Sequence, residues 1–293
     1  MTIGPHRPPG LSRRVRFPGG NGYDLAGIVD VAAVVSKPTA AASGHPDPTT
    51  VPLSKPPILV FSHCFTCNKD LKAIVRISRM LAGMGATVLR YDMTGLGGSD
   101  GDFSWTNFST NVADLRAAIK FANQELGLVV GLIGHSFGGA ASLAVAGDPQ
   151  DAAETLRAIA TLAAPSDTHH LASLMERKNP AIASAGVGDV EIGGRAWTIR
   201  REMLADFRSH QLGDLITRIA LPLMVLHSPT DETVDFNEAL LIYQLASLRP
   251  PGVATPPVSL VAIDRADHLL GNRVEDLTYV AELLAAFFKR HHL

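Results

Sequence analysis

Most of the chain alternates short apolar runs with segments in which apolar residues recur at helical spacing. Between Leu71 and Leu81, apolar side chains recur every three or four positions, which is typical of an amphipathic helix. The same spacing predicts helices over 108–123 and near 277–287. Apolar runs of strand length lie at 58–61, 87–91, 128–133, 158–162, 223–226 and 258–263. Buried strands that alternate with helices predict an α/β fold with a mostly parallel sheet and helices on both faces.

The N-terminal part of the chain departs from this alternation. Segments 15–17 and 25–31 have strand character, and the Gly-Gly-Asn-Gly sequence at 19–22 is typical of a hairpin turn. Prolines then recur among Ala, Ser and Thr, which predicts a flexible loop over 35–56.

A second departure lies between two of the predicted sheet strands. Residues 165–215 are too many for a simple crossover, and they include a predicted hairpin of 190–192 and 195–199 turned at two glycines. We interpret 165–215 as a small cap inserted at the carboxyl edge of the sheet. The α/β core would then consist of 1–164 and 216–293.

The Gly134-His135-Ser136-Phe137-Gly138 sequence follows one predicted strand and opens a small-residue helix. Strand, G-x-S-x-G and helix in that order predict a nucleophile elbow, a turn so tight that the two glycines cannot carry side chains. Ser136 is therefore the candidate nucleophile.

A serine hydroxyl needs a base to take its proton and an acid to orient that base. Asp231 follows the strand at 223–226 and His268 follows the strand at 258–263, so both lie at the sheet edge where Ser136 must lie. We predict His268 as the base and Asp231 as the acid, with Asp235 as the alternative acid.

The oxyanion that forms during attack on a carbonyl requires main-chain N–H donors. One is expected from Phe137, directly after the nucleophile. The other is expected from the loop after 58–61, where Phe65 is the first choice and Cys64 the competing one. The glycine-rich loop 92–101 is expected to be structural.

These motifs resemble the α/β-hydrolase superfamily from about residue 12 to the end. The segments 63–70, 94–99 and 164–167 are similar to the serine hydrolase domain of bacterial proteins that are fused to an OsmC-type peroxidase domain. The resemblance implies an esterase-like hydrolase with an eight-stranded, mostly parallel sheet.

Composition restricts the function further. The 293 residues are 46% hydrophobic, which suffices for one large core, and the formal net charge of −2 gives no basic surface for nucleic acid. No apolar run approaches the roughly 20 residues that span a bilayer, and no secretory signal is recognisable at the start. We expect a cytoplasmic protein, monomeric or homodimeric, with no membrane or nucleic-acid partner.

Cys64 and Cys67 form a C-x-x-C sequence at a strand-to-helix turn. We expect both to be small residues packed beside the oxyanion loop. A thiol-redox protein is the alternative from another functional class. A further hypothesis is that oxidation of the pair distorts the loop and stops hydrolysis. One histidine and two cysteines are too few for a metal site, so we expect neither metal nor cofactor.

The predicted cap is rich in apolar residues, so we expect a moderately sized apolar pocket. The candidate pocket residues are Cys64, Leu171, Met175, Trp197 and Met203. The prediction is a serine esterase that cleaves small to medium acyl esters rather than strongly charged substrates, through an acyl-enzyme. Acyl transfer, amide hydrolysis and perhydrolysis use the same triad and stay open.

Overall fold

The protein is described by a computed structural model that covers residues 11–32, 56–148, 155–248 and 255–291. All but the last residue of the loop predicted at 35–56 lies outside these described residues.

The predicted α/β fold is confirmed: eight strands form one mostly parallel sheet. In chain order the strands of this sheet are β1 (Ser12–Pro18), β2 (Asp24–Asp30), β3 (Ile58–Ser62), β4 (Thr87–Tyr91), β5 (Val129–His135), β6 (Ala158–Leu162), β9 (Leu223–His227) and β10 (Val258–Ala262). Their spatial order is β1-β2-β4-β3-β5-β6-β9-β10. β1 and β2 form the predicted antiparallel hairpin, β2 is antiparallel to β4, and all later pairs are parallel. The carboxyl ends of β3, β5, β6, β9 and β10 therefore meet at one edge.

Helices cover both faces of the sheet, because the strands are apolar on both sides. The main helices of the core are α1 (Lys72–Gly83), α2 (Phe108–Glu125), α3 (Phe137–Gly147), α7 (Leu212–Arg218), α8 (Phe236–Ser247) and α9 (Val274–Arg290). α1 and α9 pack on one face, and α2, α3, α7 and α8 pack on the other. A short 3-10 helix at Phe103–Trp105 precedes α2.

The segment between β6 and β9 begins with elements that lie outside the sheet. They are α4 (His169–Lys178), α5 (Ala181–Ala185), β7 (Val187–Ile192), β8 (Arg195–Arg200) and α6 (Arg201–Ser209). β7 and β8 form their own antiparallel ribbon, turned at Gly193 and Gly194, which both have positive φ. We refer to residues 165–211, which end before α7, as the insert.

The insert is attached to the core through the start of α2. The Asp206 carboxylate accepts hydrogen bonds from the main-chain N–H groups of Phe108 (2.8 Å) and Ser109 (3.1 Å), and another from the Ser109 hydroxyl. These are N–H groups that the first turn of a helix cannot satisfy by itself. Nearby, the Arg200 guanidinium lies 3.7 Å from the centre of the Trp105 ring. The hydrogen bonds to Asp206 and the cation–π contact of Arg200 attach the insert at the carboxyl edge of the sheet.

Candidate active site

Ser136 occupies the sharp turn between β5 and α3. Its φ of 52° and ψ of −118° lie in a region that residues with a side chain rarely adopt. A Cβ on Gly134 would lie 2.4 Å from the carbonyl oxygen of Gly138. A Cβ on Gly138 would lie 2.5 Å from the carbonyl oxygens of Ser62 and His63. Both glycines are therefore required by close backbone approach, and the strained turn holds the Ser136 side chain at the end of the strand.

Asp231 and His268 meet at the same sheet edge. His268 Nδ1 lies 2.8 Å from Asp231 Oδ2. The other carboxylate oxygen, Oδ1, accepts the main-chain N–H groups of Thr233 (2.8 Å) and Val234 (3.0 Å). Because both carboxylate oxygens are held, the orientation of the imidazole is fixed through Nδ1.

The environment of Asp231 favours its charged form. Burial acts to raise the pKa of the carboxyl, but the hydrogen bond and charge of His268 and the two N–H donors outweigh it, so the pKa is lowered. A carboxylate that stays ionised can stabilise positive charge on the neighbouring imidazole.

The other nearby acids have separate roles. The Asp235 side chain accepts the N–H of Asn237 and caps the start of α8. Asp267 accepts the N–H groups of Gly271 and Asn272. Of the two candidate acids, only Asp231 is hydrogen-bonded to His268 in the described part of the chain.

Phe65 and Phe137, whose main-chain N–H groups are the predicted oxyanion donors, both line the cavity that Ser136 lines. Phe137 begins α3 directly after Ser136, and Phe65 follows β3. Across the described residues, neither N–H donates a hydrogen bond within the protein. The two rings contact each other edge to face, with 5.4 Å between centroids. The structure therefore places the Phe65 and Phe137 side chains in contact, and their role as oxyanion donors stays a prediction.

Three buried histidines that sequence reasoning missed hold the loops of this site. His135 Nε2 lies 2.7 Å from the main-chain oxygen of His268, and His227 Nε2 lies 2.8 Å from that of Val234. His63 Nδ1 lies 2.8 Å from the oxygen of Cys64. Each carbonyl can only accept, so each of these ring nitrogens donates.

These histidines are uncharged at neutral pH. Burial lowers the pKa of His63 and of His227, and it lowers the pKa of His135 to about 3. A sequence signal was present, because all three stand at the carboxyl ends of sheet strands, where functional groups of this fold gather.

Cys64 and Cys67 form a disulfide, which the sequence analysis did not predict. The turn brings their Cα atoms to 5.4 Å, within the range that a disulfide can bridge. The main-chain N–H of Cys67 also donates to the oxygen of Cys64 at 3.2 Å. The disulfide closes the short loop that carries Phe65 and Thr66.

A cavity of about 510 Å³ opens over Ser136. Its core side includes Ser136, Phe137, Cys64, Phe65, Cys67 and His268. Its insert side includes Leu171, Leu174, Met175, Ile192 and Trp197. The candidate pocket residues Cys64, Leu171, Met175 and Trp197 all line it. Met203 does not, because α6 directs it into the main core beside Leu204, where it is 1% exposed.

Sequence reasoning also missed the charged residues of the cavity wall. Lys178, Glu191 and Arg195 line the insert side. A second cavity of about 420 Å³ shares His268 with the first and is lined mainly by polar residues, among them Thr230, Glu232, Arg265, Asp267 and Asn272. His268 therefore contributes to the walls of both a largely apolar cavity and a polar one.

Within the described residues, no group of three or more His, Cys, Asp or Glu side chains could hold a metal ion. No helix in the same part of the chain is long and apolar enough to cross a membrane.

Comparisons with known proteins indicate a family of hydrolases. The serine aminopeptidase S33 family matches residues 58–211. The crystal structure of the esterase domain of a Rhodothermus marinus protein shares 35% sequence identity, with a TM-score of 0.68, and the match covers 96% of this chain and 99% of that one. Comparison with curated protein sequences gives no match.

More distant structures share the fold alone. Est1E from Butyrivibrio proteoclasticus, solved with ferulic acid bound, is 18% identical with a TM-score of 0.72, over 94% of this chain and 98% of that one. A putative hydrolase from Agrobacterium vitis is 17% identical with a TM-score of 0.68, over 96% and 99% of the two chains.

Proposed function

This chain belongs to the serine aminopeptidase S33 family of α/β hydrolases, and we propose that it cleaves carboxylic esters of small to medium acyl chains with Ser136 as nucleophile. The observation that carries the proposal is the 2.8 Å hydrogen bond between Asp231 and His268, together with the cavity that both His268 and Ser136 line. The esterase domain from Rhodothermus marinus, which is similar over nearly its whole length, supports an ester as the substrate.

In the first half-reaction, Ser136 Oγ attacks the ester carbonyl carbon while His268 Nε2 takes the hydroxyl proton. Asp231 orients the imidazole through Nδ1 and stabilises its positive charge. The N–H groups of Phe137 and Phe65 bind the oxyanion, with Cys64 as the competing second donor. The tetrahedral intermediate collapses, and the alcohol leaves with the proton from His268.

In the second half-reaction, water attacks the acyl-enzyme. His268 takes a proton from the water, the oxyanion forms again, and Ser136 leaves as it regains the proton. The products are the carboxylic acid and the free enzyme, so the cycle needs no cofactor or metal.

A fluorophosphonate probe tests the nucleophile directly. We expect it to label the wild type at Ser136, as located by mass spectrometry, and not to label Ser136→Ala. Ser184→Ala removes an exposed hydroxyl of the insert and is the matched control. Label that persists in Ser136→Ala would contradict the proposal, and so would ester hydrolysis that falls less than about a hundredfold in a folded Ser136→Ala protein.

Amide hydrolysis is a second use of the same site, favoured by the description of the matched family. Paired aryl ester and aryl anilide substrates with one acyl group separate the two activities. If kcat/KM is higher for the anilide than for the ester, the assigned function becomes amidase instead of esterase, and the assigned residues stay the same.

Thiol chemistry is a candidate of another class, favoured by the Cys64–Cys67 disulfide. A small thiol would reduce the disulfide to two thiols, and these would pass two electrons to a disulfide substrate. Disulfide exchange that is lost in Cys67→Ser, with no fluorophosphonate label on Ser136, would favour this candidate. Esterase assays with and without reductant also test whether oxidation of the pair stops hydrolysis.

A further inference from the structure

We propose that Lys178 and Arg195 form an anion-binding subsite in the Ser136 cavity, and that the preferred ester carries a carboxylate at the distal end of its acyl chain. The inference rests on the proposed function, and it adds which chemical group the end of the acyl chain carries. Lys178 ends α4 and Arg195 begins β8, and the insert brings both to the wall of one cavity.

The second observation is the electrostatic surroundings of the two cations within the described part of the chain. Among the described residues, Lys178 and Arg195 form no ion pair with a carboxylate. The Arg195 guanidinium instead lies 5.2 Å from the centre of the Trp197 ring, and Trp197 also lines the cavity. A cation–π contact of this kind restricts the guanidinium and leaves its N–H donors available for a ligand.

Glu191 also lines the cavity, but the strand register separates its side chain from that of Arg195. Arg195 is paired with Ile192, and Trp197 with buried Val190, so these positions share one face of the ribbon, with Arg195 exposed at its end. Glu191 is paired with Ala196 on the opposite face, because successive side chains of a strand alternate. Glu191 and Arg195 therefore lie on opposite faces of the ribbon, and no ion pair joins them among the described residues.

The helix dipole can stabilise the positive charge of Lys178 but not that of Arg195. A lysine in the last turn of a helix is stabilised by the helix dipole, which by itself accounts for Lys178. It does not account for Arg195, which stands at the start of an exposed strand. A ligand carboxylate would satisfy both.

The acyl part of the ester is the part that reaches these cations. His268 gives its proton to the leaving alcohol, so the alcohol must lie on the side of His268, where the second, polar cavity opens. The acyl chain is then directed into the cavity beneath the insert, past the apolar side chains of Leu171, Leu174 and Met175. Its free end meets Lys178 and Arg195.

A matched pair of substrates tests this assignment. The para-nitrophenyl monoester of glutaric acid carries a terminal carboxylate that the para-nitrophenyl ester of pentanoic acid lacks. We expect a higher kcat/KM for the glutarate monoester in the wild type. The ratio of the two values should fall about tenfold in Arg195→Gln and in Lys178→Gln, as for loss of one charge-assisted hydrogen bond. Added salt should lower the ratio in the wild type.

Arg177→Gln is the matched control. It removes the same charge from the residue next to Lys178, outside the cavity lining, and should leave the ratio unchanged. Circular dichroism of each variant establishes that the insert is folded. Pentanoates of para-carboxyphenol place the carboxylate on the alcohol instead, and an Arg195-dependent preference for these would overturn the acyl assignment.

Binding of free glutarate to the Ser136→Ala protein gives a readout that does not depend on turnover. We expect calorimetry to detect binding that is stronger than that of pentanoate and is lost in Ser136→Ala/Arg195→Gln. Equal binding of the two acids would overturn the subsite even if esters are hydrolysed. If glutarate binds but the wild type neither hydrolyses esters nor reacts with the fluorophosphonate, the proposed function is overturned while the anion-binding subsite is supported.

Discussion

His135 donates a hydrogen bond from ring Nε2 to the main-chain oxygen of His268, 2.7 Å away. The residue just before the candidate nucleophile thus holds the backbone of the candidate base. His135 Nδ1 is buried and has no partner within the described chain, as expected for a neutral ring whose single proton is on Nε2. Ser136 and the loop that carries His268 are coupled through this one imidazole.

We expect His135→Ala to lower kcat by about 10- to 100-fold while KM changes little, because the lost hydrogen bond positions His268 without contacting substrate. His135→Gln can place an amide nitrogen near Nε2 and should recover part of kcat. Steady-state kinetics on an aryl ester give both values. A fall confined to thermal stability, with kcat equal in the two variants and the wild type, would show that His135 has only a packing role.

The free energy of unfolding should decrease as the pH is lowered, over a range that the buried histidines set. His63, His135 and His227 have pKa values lowered by burial, to about 3 for His135, whereas an unfolded histidine titrates near 6.5. Below about pH 6.5 the unfolded chain therefore binds more protons, and each histidine costs up to about 1.4 kcal/mol of stability per pH unit.

Urea unfolding at a series of pH values measures this dependence. We expect the free energy of unfolding to be constant from about pH 8 to 7 and to fall from about pH 6.5 to 5, above the range where ordinary carboxylates titrate. The slope should be shallower in His135→Gln. A flat profile down to about pH 5 would contradict the assignment of these rings as neutral.

Asp231 and Asp235 offer a matched pair of substitutions. Asp231→Asn should lower kcat by about 10⁴-fold, since the amide cannot stabilise the imidazolium and favours the wrong tautomer. Asp235→Asn should leave kcat unchanged, because asparagine caps a helix about as well as aspartate does. Equal losses in the two variants would contradict the pairing of His268 with Asp231.

Gly138 and Gly83 test how tightly the elbow packs against the oxyanion loop. Gly138→Ala places a Cβ 2.5 Å from the carbonyl oxygens of Ser62 and His63. We expect a cost of about 1–3 kcal/mol in stability and a lower kcat, because the displaced backbone leads directly to Phe65.

Gly83 ends α1 with nothing within 4 Å of an added Cβ. Gly83→Ala should therefore be neutral or stabilising by up to about 1 kcal/mol, with kcat retained. Thermal unfolding and ester kinetics on both variants make the comparison, and a fully active Gly138→Ala protein would be the contrary result.

The sequence by itself determined the fold class, because the spacing of apolar residues is a local property that each strand and helix carries within its own length. The predicted bounds of β4 (Thr87–Tyr91) and β6 (Ala158–Leu162) agree with the structure residue for residue. The elbow at Ser136 was readable for the same reason, since both glycines that it needs lie within two positions of the serine.

Tertiary structure decided the parts of the site that the spacing along the chain did not predict. His135 is hydrogen-bonded to the main chain of His268 because the sheet order brings two distant segments together. Lys178 and Arg195 line one cavity because of the way the insert folds. Met175 and Met203 are both buried in the main core, yet only Met175 also lines the cavity. Which side of a helix faces which neighbour depends on how the elements pack, and that information lies in contacts between segments rather than in the pattern of any one of them.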